Sequence, residues 1–570
     1  MARGVAVAGV SILSLMAFGC HVNEEPPFDP RGSGWNDLIG ASAIRATPQI
    51  ALSTTRQAYA PETQPARRVT GEQGQPVYLS LREIMHRAAA NSNEVRVAGY
   101  DPAIAETRVT ENGAHYDPIF YSNLRYDKQF DRTPGTVIPS PSNPSSTTTI
   151  DVENNNIYTA EAGIKQYLTS GGQVQLGYQF QNSDYFPVRY TRNNYWDSEL
   201  KLQLTQPLLR EFGYEVNWAR ITVARNDQRV SLLDYRKALE DNTEELEKDY
   251  WQLYEAQREL QIGEEVLLHA RELADVLWNQ FTFGGKATIL ELSQAASSVS
   301  DREATLLRAR ARVADISDDI KRRMSDPEFA IAGPLEIRPA DVPIDMPIKF
   351  DDQDQIETAF ANRLELGQQQ LRVNSAEVAR QVAINGLFPK LDFVGQVTVQ
   401  GLDSTFNNSV NDQWGGGHLV YSLGLQLEIP LGNREATAIV RRSELQREQA
   451  VIGYREQQDK VSQEVASACR EVRTAFESVR TSRNARMQLE EVLNELNRRQ
   501  SSGVQAIDPN FVQLKLDTQE RLGNAQRNEA NELMNYNIAL SSLERAKGTI
   551  LRYNNIQMEE EELPWDVPSH

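Results

Sequence analysis

Residues 246–292, LEKDYWQLYEAQRELQIGEEVLLHARELADVLWNQFTFGGKATILEL, decide how this chain folds. They lie within a proline-free stretch from Glu215 to Arg323, about 110 residues, broken once by Phe283-Gly284-Gly285-Lys286. Before that break Leu246, Leu253, Leu260, Leu267, Ala274 and Phe281 recur every seven residues, and Ala256, Gly263, Ala270 and Leu277 form a second seam. After it Leu292, Ala295, Val299, Leu306, Ala309, Val313, Ile316 and Ile320 alternate spacings of three and four. A sustained period of about 3.5 residues means two helices supercoiled against neighbours, not one helix lying on a globular core. At about 1.5 Å per residue, the roughly 65 residues before the glycines make a rod of about 100 Å, either a strut or part of a tube.

Composition sets limits on the rest. The chain has 570 residues, 59 basic and 79 acidic, for a net charge of −20, which argues against a nucleic-acid footprint. Two cysteines, Cys20 and Cys469, are too few for a disulfide framework or a thiolate metal site. The six histidines show no ligand spacing, and no nucleophile–base set or phosphate loop appears, so neither an enzyme nor a cofactor is expected. The body of the chain lacks an apolar run of the roughly 18 residues a transmembrane helix needs. A β-barrel gives a much weaker hydropathy signal and stays open.

Residues 1–20 read as an export signal: Arg3, apolar Val5–Phe18, then Gly19-Cys20. Small residues before a cysteine are similar to a bacterial lipoprotein cleavage site, which makes Cys20 the candidate lipidated N-terminus; an ordinary signal with an incidental cysteine is the alternative. Residues 21–75, rich in Pro, Gly, Ala, Arg and Thr, read as an extended linker. A helix starts at Leu79-Ser80 and runs toward Gly113. The period then changes to two. Val174, Leu176, Tyr178 and Phe180 alternate with glutamines and glycine, and Trp196, Leu200, Leu202 and Leu204 alternate with charged and polar residues. Such strands, placed over 118–205, fit a barrel with one face on lipid and one on a wet lumen, and equally a half-buried soluble sheet. Thr133–Asn156, nearly all Pro, Ser, Thr and Asn, reads as an exposed loop. Five prolines between Pro327 and Pro347 make 326–351 a connector with little regular structure.

From Asp352 the order begins again. A helix opens at Ala359-Phe360-Ala361-Asn362-Arg363, and Asn385-Gly386 repeats Asn112-Gly113 just before a strand. Strands over 391–430 flank a polar loop, Gly401–Gly417, and end in Pro430 as the first set ends in Pro207. A second hairpin over 434–550 follows, with Val465, Ala468, Val472, Ala475, Val479, Ser482, Leu489, Leu493 and Leu496 on one arm and Arg486 interrupting them. Its return arm carries Leu514, Leu522, Ala525, Tyr536, Ala539, Leu543 and Ala546, and residues 554–570 are an acidic tail. The chain is thus a duplication, 76–325 and 352–553, of helix, strands and long helical hairpin. Two hairpins that each follow strands suit symmetric closure into a tube, and a barrel needs the same closure to lose its edges.

Residues 79–553 resemble the TolC-like outer-membrane factor family. The likeness is carried by Thr205-Gln206-Pro207-Leu208-Leu209 and Glu428-Ile429-Pro430-Leu431-Gly432-Asn433-Arg434 at the strand ends. Phe283-Gly284-Gly285-Lys286-Ala287-Thr288, Gly503-Val504-Gln505-Ala506 and Asn362-Arg363-Leu364-Glu365-Leu366 carry it too. The resemblance implies a homotrimer, an α+β membrane protein whose coiled-coil hairpins form an α-barrel below a transmembrane β-barrel. Four strands per chain and 12 in all are usual in the family; the alternating segments at 157–181 depart from that by lengthening a hairpin or adding strands. It further implies a non-enzymatic exit duct for efflux or type I secretion, with a periplasmic adaptor and an inner-membrane pump as partners, in the outer membrane. The hairpin tips would hold the gate and dock the adaptor. Glu291 and Asp508 are then the gate candidates, and Gly284, Gly285, Lys286, Ala287, Gly503, Val504 and Gln505 the docking candidates. Asp508-Pro509 also reads simply as a helix cap. A periplasmic coiled-coil adaptor or a scaffold without a channel is the competing class.

Overall fold

The computed structural model describes residues 76–134, 150–186, 194–284, 287–331, 333, 335–415, 418–501 and 509–556, all within one compact unit, Ser53–His570. The export signal with Cys20, the linker over 21–75 and most of the acidic tail lie outside the described residues, as do Gly285, Lys286, Gly503, Val504, Gln505 and Asp508.

The first repeat runs β1 (Val77–Leu79), α1 (Leu81–Asn91), α2 (Asn93–Gly113), β2 (Ile119–Pro134), β3 (Ile150–Tyr167), β4 (Gln173–Phe186), β5 (Asn194–Pro207), α3 (Tyr214–Asn279) and α4 (Ile289–Met324). A short strand β6 (Ile337–Pro339) leads to the second: α5 (Asp352–Asn362), α6 (Leu364–Asn385), β7 (Lys390–Asp403), α7 (Phe406–Gln413), β8 (Leu419–Glu428), α8 (Arg434–Ser501), α9 (Pro509–Lys547) and α10 (Ile550–Tyr553). The duplication is close in the helices: 11, 21, 66 and 36 residues in one copy against 11, 22, 68 and 39 in the other. Helix starts follow from local chemistry. Ser80 accepts the Glu83 N–H at 3.2 Å to open α1, and the Asp351 carboxylate accepts the Gln353 N–H at 3.4 Å to open α5.

The heptad seams are the buried stripes, except at Phe281, which ends the first seam 40% exposed. Leu246, Leu253, Leu267, Ala270 and Leu277 of α3 close on Ala295, Leu306, Ala309, Val313 and Ile320 of α4. Burying a leucine or valine side chain contributes about 1.5–3 kcal/mol, so these seams hold each hairpin shut. Glycine lets the hairpins approach each other as well. A Cβ on Gly523 of α9 would stand 3.0 Å from Val266 Cγ2 of α3. The heptad break at Arg486 is an ion pair: its Nε lies 2.5 Å from Glu529, which Arg483 also reaches at 2.9 Å. Leu514 does not belong to the seam. It is 51% exposed, and Phe511, Val512 and Leu516 are buried instead.

The largest core cluster lies where α1, the middle of α3 and the end of α4 meet the connector, with Ile84, Met85, Tyr250, Met324, Phe329 and Ile337 all nearly solvent-free. The connector is more ordered than its prolines suggest. β6 pairs with β1 in parallel, and the Tyr250 hydroxyl accepts the Asp341 N–H and donates to its carboxylate, both at 3.0 Å.

The remaining strands form one antiparallel sheet in the order β2-β3-β4-β5-β7-β8. The sequence reading needs correction here in two places. The loop expected over Thr133–Asn156 overlaps strand at both ends, because β2 continues to Pro134 and β3 begins at Ile150; residues 135–149 lie outside the described residues. Backbone pairing, such as Asn156 opposite Lys128, extends these strands through residues of low strand propensity. The loop expected over Gly401–Gly417 contains α7, and the alternating segments at 157–181 belong to two full additional strands.

Candidate functional site

The sheet has two chemically opposed faces, because side chains alternate along every strand. One row across the six strands reads Phe120, Ile164, Leu176, Leu202, Val397, Tyr421. On the other face a row reads Asn123, Glu161, Gln179, Glu199, Gln400, and a second reads Ile119, Lys165, Gln175, Gln203, Gln396, Ser422. The polar face is tied together across strands. The Tyr121 hydroxyl donates to Glu161 at 2.9 Å and accepts from Gln175 at 2.7 Å, and Gln400 donates to Glu199 at 2.7 Å. Tyr121 reaches over Gly163 and Gly177, where a Cβ would come within 2.7 and 2.6 Å of its hydroxyl. Glycine inside a strand pattern is the sequence signal for such an approach, and it went unread.

At the sheet's helical end aromatic rings gather: Tyr116 and Tyr214 stack on Trp218 at 5.8 and 5.1 Å, and His115 stacks on Tyr167 at 4.6 Å. At the opposite end α7 lies on the apolar face. Phe406 meets Phe180 and Trp196 with centroids 4.8 and 5.4 Å apart, and Ser198 donates to the Ser409 carbonyl at 3.1 Å. Gly401 permits this, since a Cβ there would lie 2.1 Å from that carbonyl. No periodicity announced α7, because its eight residues make only about two turns, too few for a helical period to show.

At the far end of the hairpins the first tip is partly described. α3 closes in a π turn, Gln280–Gly284. Ala287 is buried with Leu273, Leu277, Ala295, Val512 and Leu516, so the structure brings the first tip against the start of α9. Glu291 is only 1% exposed and forms a capping box with Thr288. Its carboxylate accepts the Thr288 N–H at 2.6 Å, and its own N–H reaches the Thr288 hydroxyl at 3.4 Å. Beyond the tip, exposed Phe283, Ile289 and Leu290 make an apolar surface. Sequence reading also missed two half-buried cations between the hairpins. Burial lowers the pKa of Lys515 against the opposing pull of Glu272, and that of Arg302 against Glu520.

A third charged site lies where α3, α6 and α9 meet. Glu240 is 1% exposed, with Arg545 at 3.2 Å and Arg236 at 3.8 Å. Burial lifts its pKa from 4.5 to about 7, despite the pull of Arg545 and Arg236. Neighbouring Glu365 moves the other way: burial raises it, but Arg363, its own N–H, Arg545 and Lys237 together bring it below its ordinary value. Among the described residues no helix is long and apolar enough to cross a membrane, and no group of His, Cys, Asp or Glu could hold a metal ion.

Paired coiled-coil hairpins running into an antiparallel sheet with one apolar and one polar face define the outer-membrane channel fold. The model of the outer membrane efflux protein family matches residues 355–549, within the second repeat. In three dimensions it is similar to the CmeC outer membrane channel of Campylobacter jejuni, with a TM-score of 0.57 and 14% identity over 89% of this chain and 95% of that one. The open state of the Neisseria gonorrhoeae MtrE outer membrane channel gives 0.57 and 12%, covering 90% and 98%. The outer membrane protein VceC of Vibrio cholerae gives 0.55 and 14%, covering 82% and 96%. At these identities the structural likeness carries the fold alone. Among curated proteins none matches the chain significantly.

Proposed function

We infer that the chain is the outer-membrane exit channel of a tripartite efflux pump or type I secretion system. Three copies would close around one axis and pass substrates from the periplasm to the exterior. The observation that carries this is the continuous division of the sheet into an apolar and a polar face, as in the row from Phe120 to Tyr421 against the row from Ile119 to Ser422. The apolar face meets lipid, and the polar face lines a wet lumen that continues between the hairpins.

The adaptor and the inner-membrane pump dock at the periplasmic end. Gly284, Gly285, Lys286, Ala287, Gly503, Val504 and Gln505 mark the docking loops there, and the apolar surface of Phe283, Ile289 and Leu290 supports that assignment. The gate lies at the same tips. Glu291 serves it by fixing the start of α4 through the capping box, and Asp508 stands beside the second turn. Cys20 carries the lipid anchor.

The test is purification from the outer-membrane fraction followed by reconstitution into planar bilayers. Pores of reproducible conductance are expected, and Glu291→Ala should raise the open fraction by loosening the tip. A soluble monomer, or a membrane protein that forms no pores, overturns the channel reading in favour of an adaptor or scaffold.

A further inference from the structure

The two repeats agree to within three residues in each of their four principal helices yet contribute different numbers of strands, β2–β5 from the first and β7–β8 from the second. The surplus is the β3–β4 hairpin. We propose that this hairpin crosses the outer membrane as barrel wall, so that three copies, contributing six strands each, close an 18-stranded barrel. The count rests on the threefold assembly proposed above; the placement of the hairpin does not.

Length permits it. β3 has 18 residues and β4 has 14, against 14 in β5 and 14 in β7, where about 9–11 tilted residues cross a bilayer. The register puts all six strands at one level, since the row from Phe120 to Tyr421 passes through Ile164 and Leu176 without a step. The alternation also continues unbroken through the added strands, with Ile164 and Leu176 on the apolar face and Lys165 and Gln175 on the polar one. A hairpin that only lengthened an outer loop would have no reason to keep either.

The turn between β3 and β4 supplies an independent anchor. Gly213 N–H donates to the Ser170 carbonyl at 3.2 Å, and the Ser170 hydroxyl donates to Gln206 at 2.8 Å. Gly171, at φ +93°, sits so close that a Cβ would lie 2.2 Å from the Glu211 carbonyl. The turn is therefore fastened to the root of α3, at the sheet's helical end, and the hairpin runs the full height of the sheet.

The free edges fit closure by further copies of the chain. Among the described strands β2 and β8 are each paired on one side only, and all ten residues of β8 are exposed. Because the order is antiparallel throughout with an even number of strands, β8 of one copy runs antiparallel to β2 of the next. Barrel diameter grows roughly in proportion to strand number, so this barrel is about half as wide again as a 12-stranded one and leaves an open aqueous bore. The outer end is then no filter, and selection falls to the periplasmic tips.

Native mass spectrometry of the detergent-extracted protein counts the copies. Separately, in a Cys469→Ala background, single cysteines carrying a fluorophore are tested in vesicles of lipids brominated along the acyl chain. Leu176→Cys and Ile164→Cys should be quenched as strongly as Leu202→Cys in β5. Gln175→Cys should escape quenching and react with a charged thiol reagent that lowers the pore current. Ser422→Cys combined in turn with Ile119→Cys, Tyr121→Cys and Asn123→Cys should give disulfide-linked ladders ending at three chains. Quenching of Leu202→Cys without quenching of Leu176→Cys or Ile164→Cys overturns the spanning hairpin. A copy number other than three overturns the 18-strand count and the trimer together, and the quenching result then decides the hairpin by itself.

Discussion

Replacing Glu240 with glutamine isolates one buried charge in the periplasmic body. Two effects oppose each other at this carboxylate: burial, which disfavours the charged form, and attraction to Arg545 at 3.2 Å and Arg236 at 3.8 Å, which favours it. Burial wins, holding the pKa at about 7 against an ordinary 4.5. For an acid raised in this way, the favourable contribution to stability is fully present below pH 4.5 and is lost as the pH rises through about 7. At about 1.4 kcal/mol per tenfold, the loss from this group is about 3 kcal/mol. Glu240→Gln does not titrate, and Arg545 keeps Asp241 at 2.5 Å. Thermal loss of helical circular dichroism in detergent, measured from pH 5 to pH 8, should therefore decline markedly in the wild type and much less in Glu240→Gln. The two proteins should be close at pH 5, and the variant the more stable at pH 8. Parallel profiles, or a variant less stable at pH 8, would refute the reasoning by showing that the ion pair outweighs burial. Glu365, shifted down, acts in the opposite sense and below pH 4.5, so it does not confound the window.

Gly523→Leu should force α9 away from Val266 and destabilise by about 1–3 kcal/mol through overpacking; adding Val266→Ala should recover part of that, as a double-mutant cycle by thermal melting would measure. Arg486→Met should be nearly neutral in chemical denaturation, because Glu529 keeps Arg483. Glu529→Met should cost more, since it takes from both arginines their shared carboxylate and leaves Arg483 only Asp345 and Arg486 only Glu490. On the sheet, Leu202→Arg places a charge on the apolar face and should cost about 2–4 kcal/mol near mid-membrane, seen as reduced yield in the outer-membrane fraction. Lys201→Glu, one residue away on the polar face, should leave the outer-membrane yield unchanged and shift reversal potentials toward cation selectivity in bilayers.

The coiled-coil architecture was legible because heptads are a dense signal: Leu246, Leu253, Val472 and Leu543 each sit on a stripe that repeats over many turns and is buried where the spacing put it. The strands were legible where alternation was clean, as in Val174–Phe180, and not where a polar run such as Asn154–Asn156 is held by its partners' backbones. Leu514 misled because an isolated leucine near a helix start does not report which side of α9 is buried, and Phe511, Val512 and Leu516 take that side instead. The site residues were the least legible. Glu291 reads as a free acid beside a turn, yet its side chain is spent on Thr288, as the spacing Thr288-x-x-Glu291 allows. Arg302 of α4 and Lys515 of α9 look like surface cations until the two hairpins pack together and half-bury them.

The bareness of β8 poses a problem of timing that assembly alone does not solve. Leu419, Leu423 and Leu425 are 62–70% exposed along an edge with unpaired backbone groups, so a lone folded copy in water would present a strand ready to join any other. The helical seams carry no such hazard, because α3 and α4 cover each other within the chain. The hairpins can therefore close by themselves in water, whereas the sheet is safe only once its edge and apolar face are covered. A chain that completes its sheet too early will aggregate through this strand before it meets a membrane.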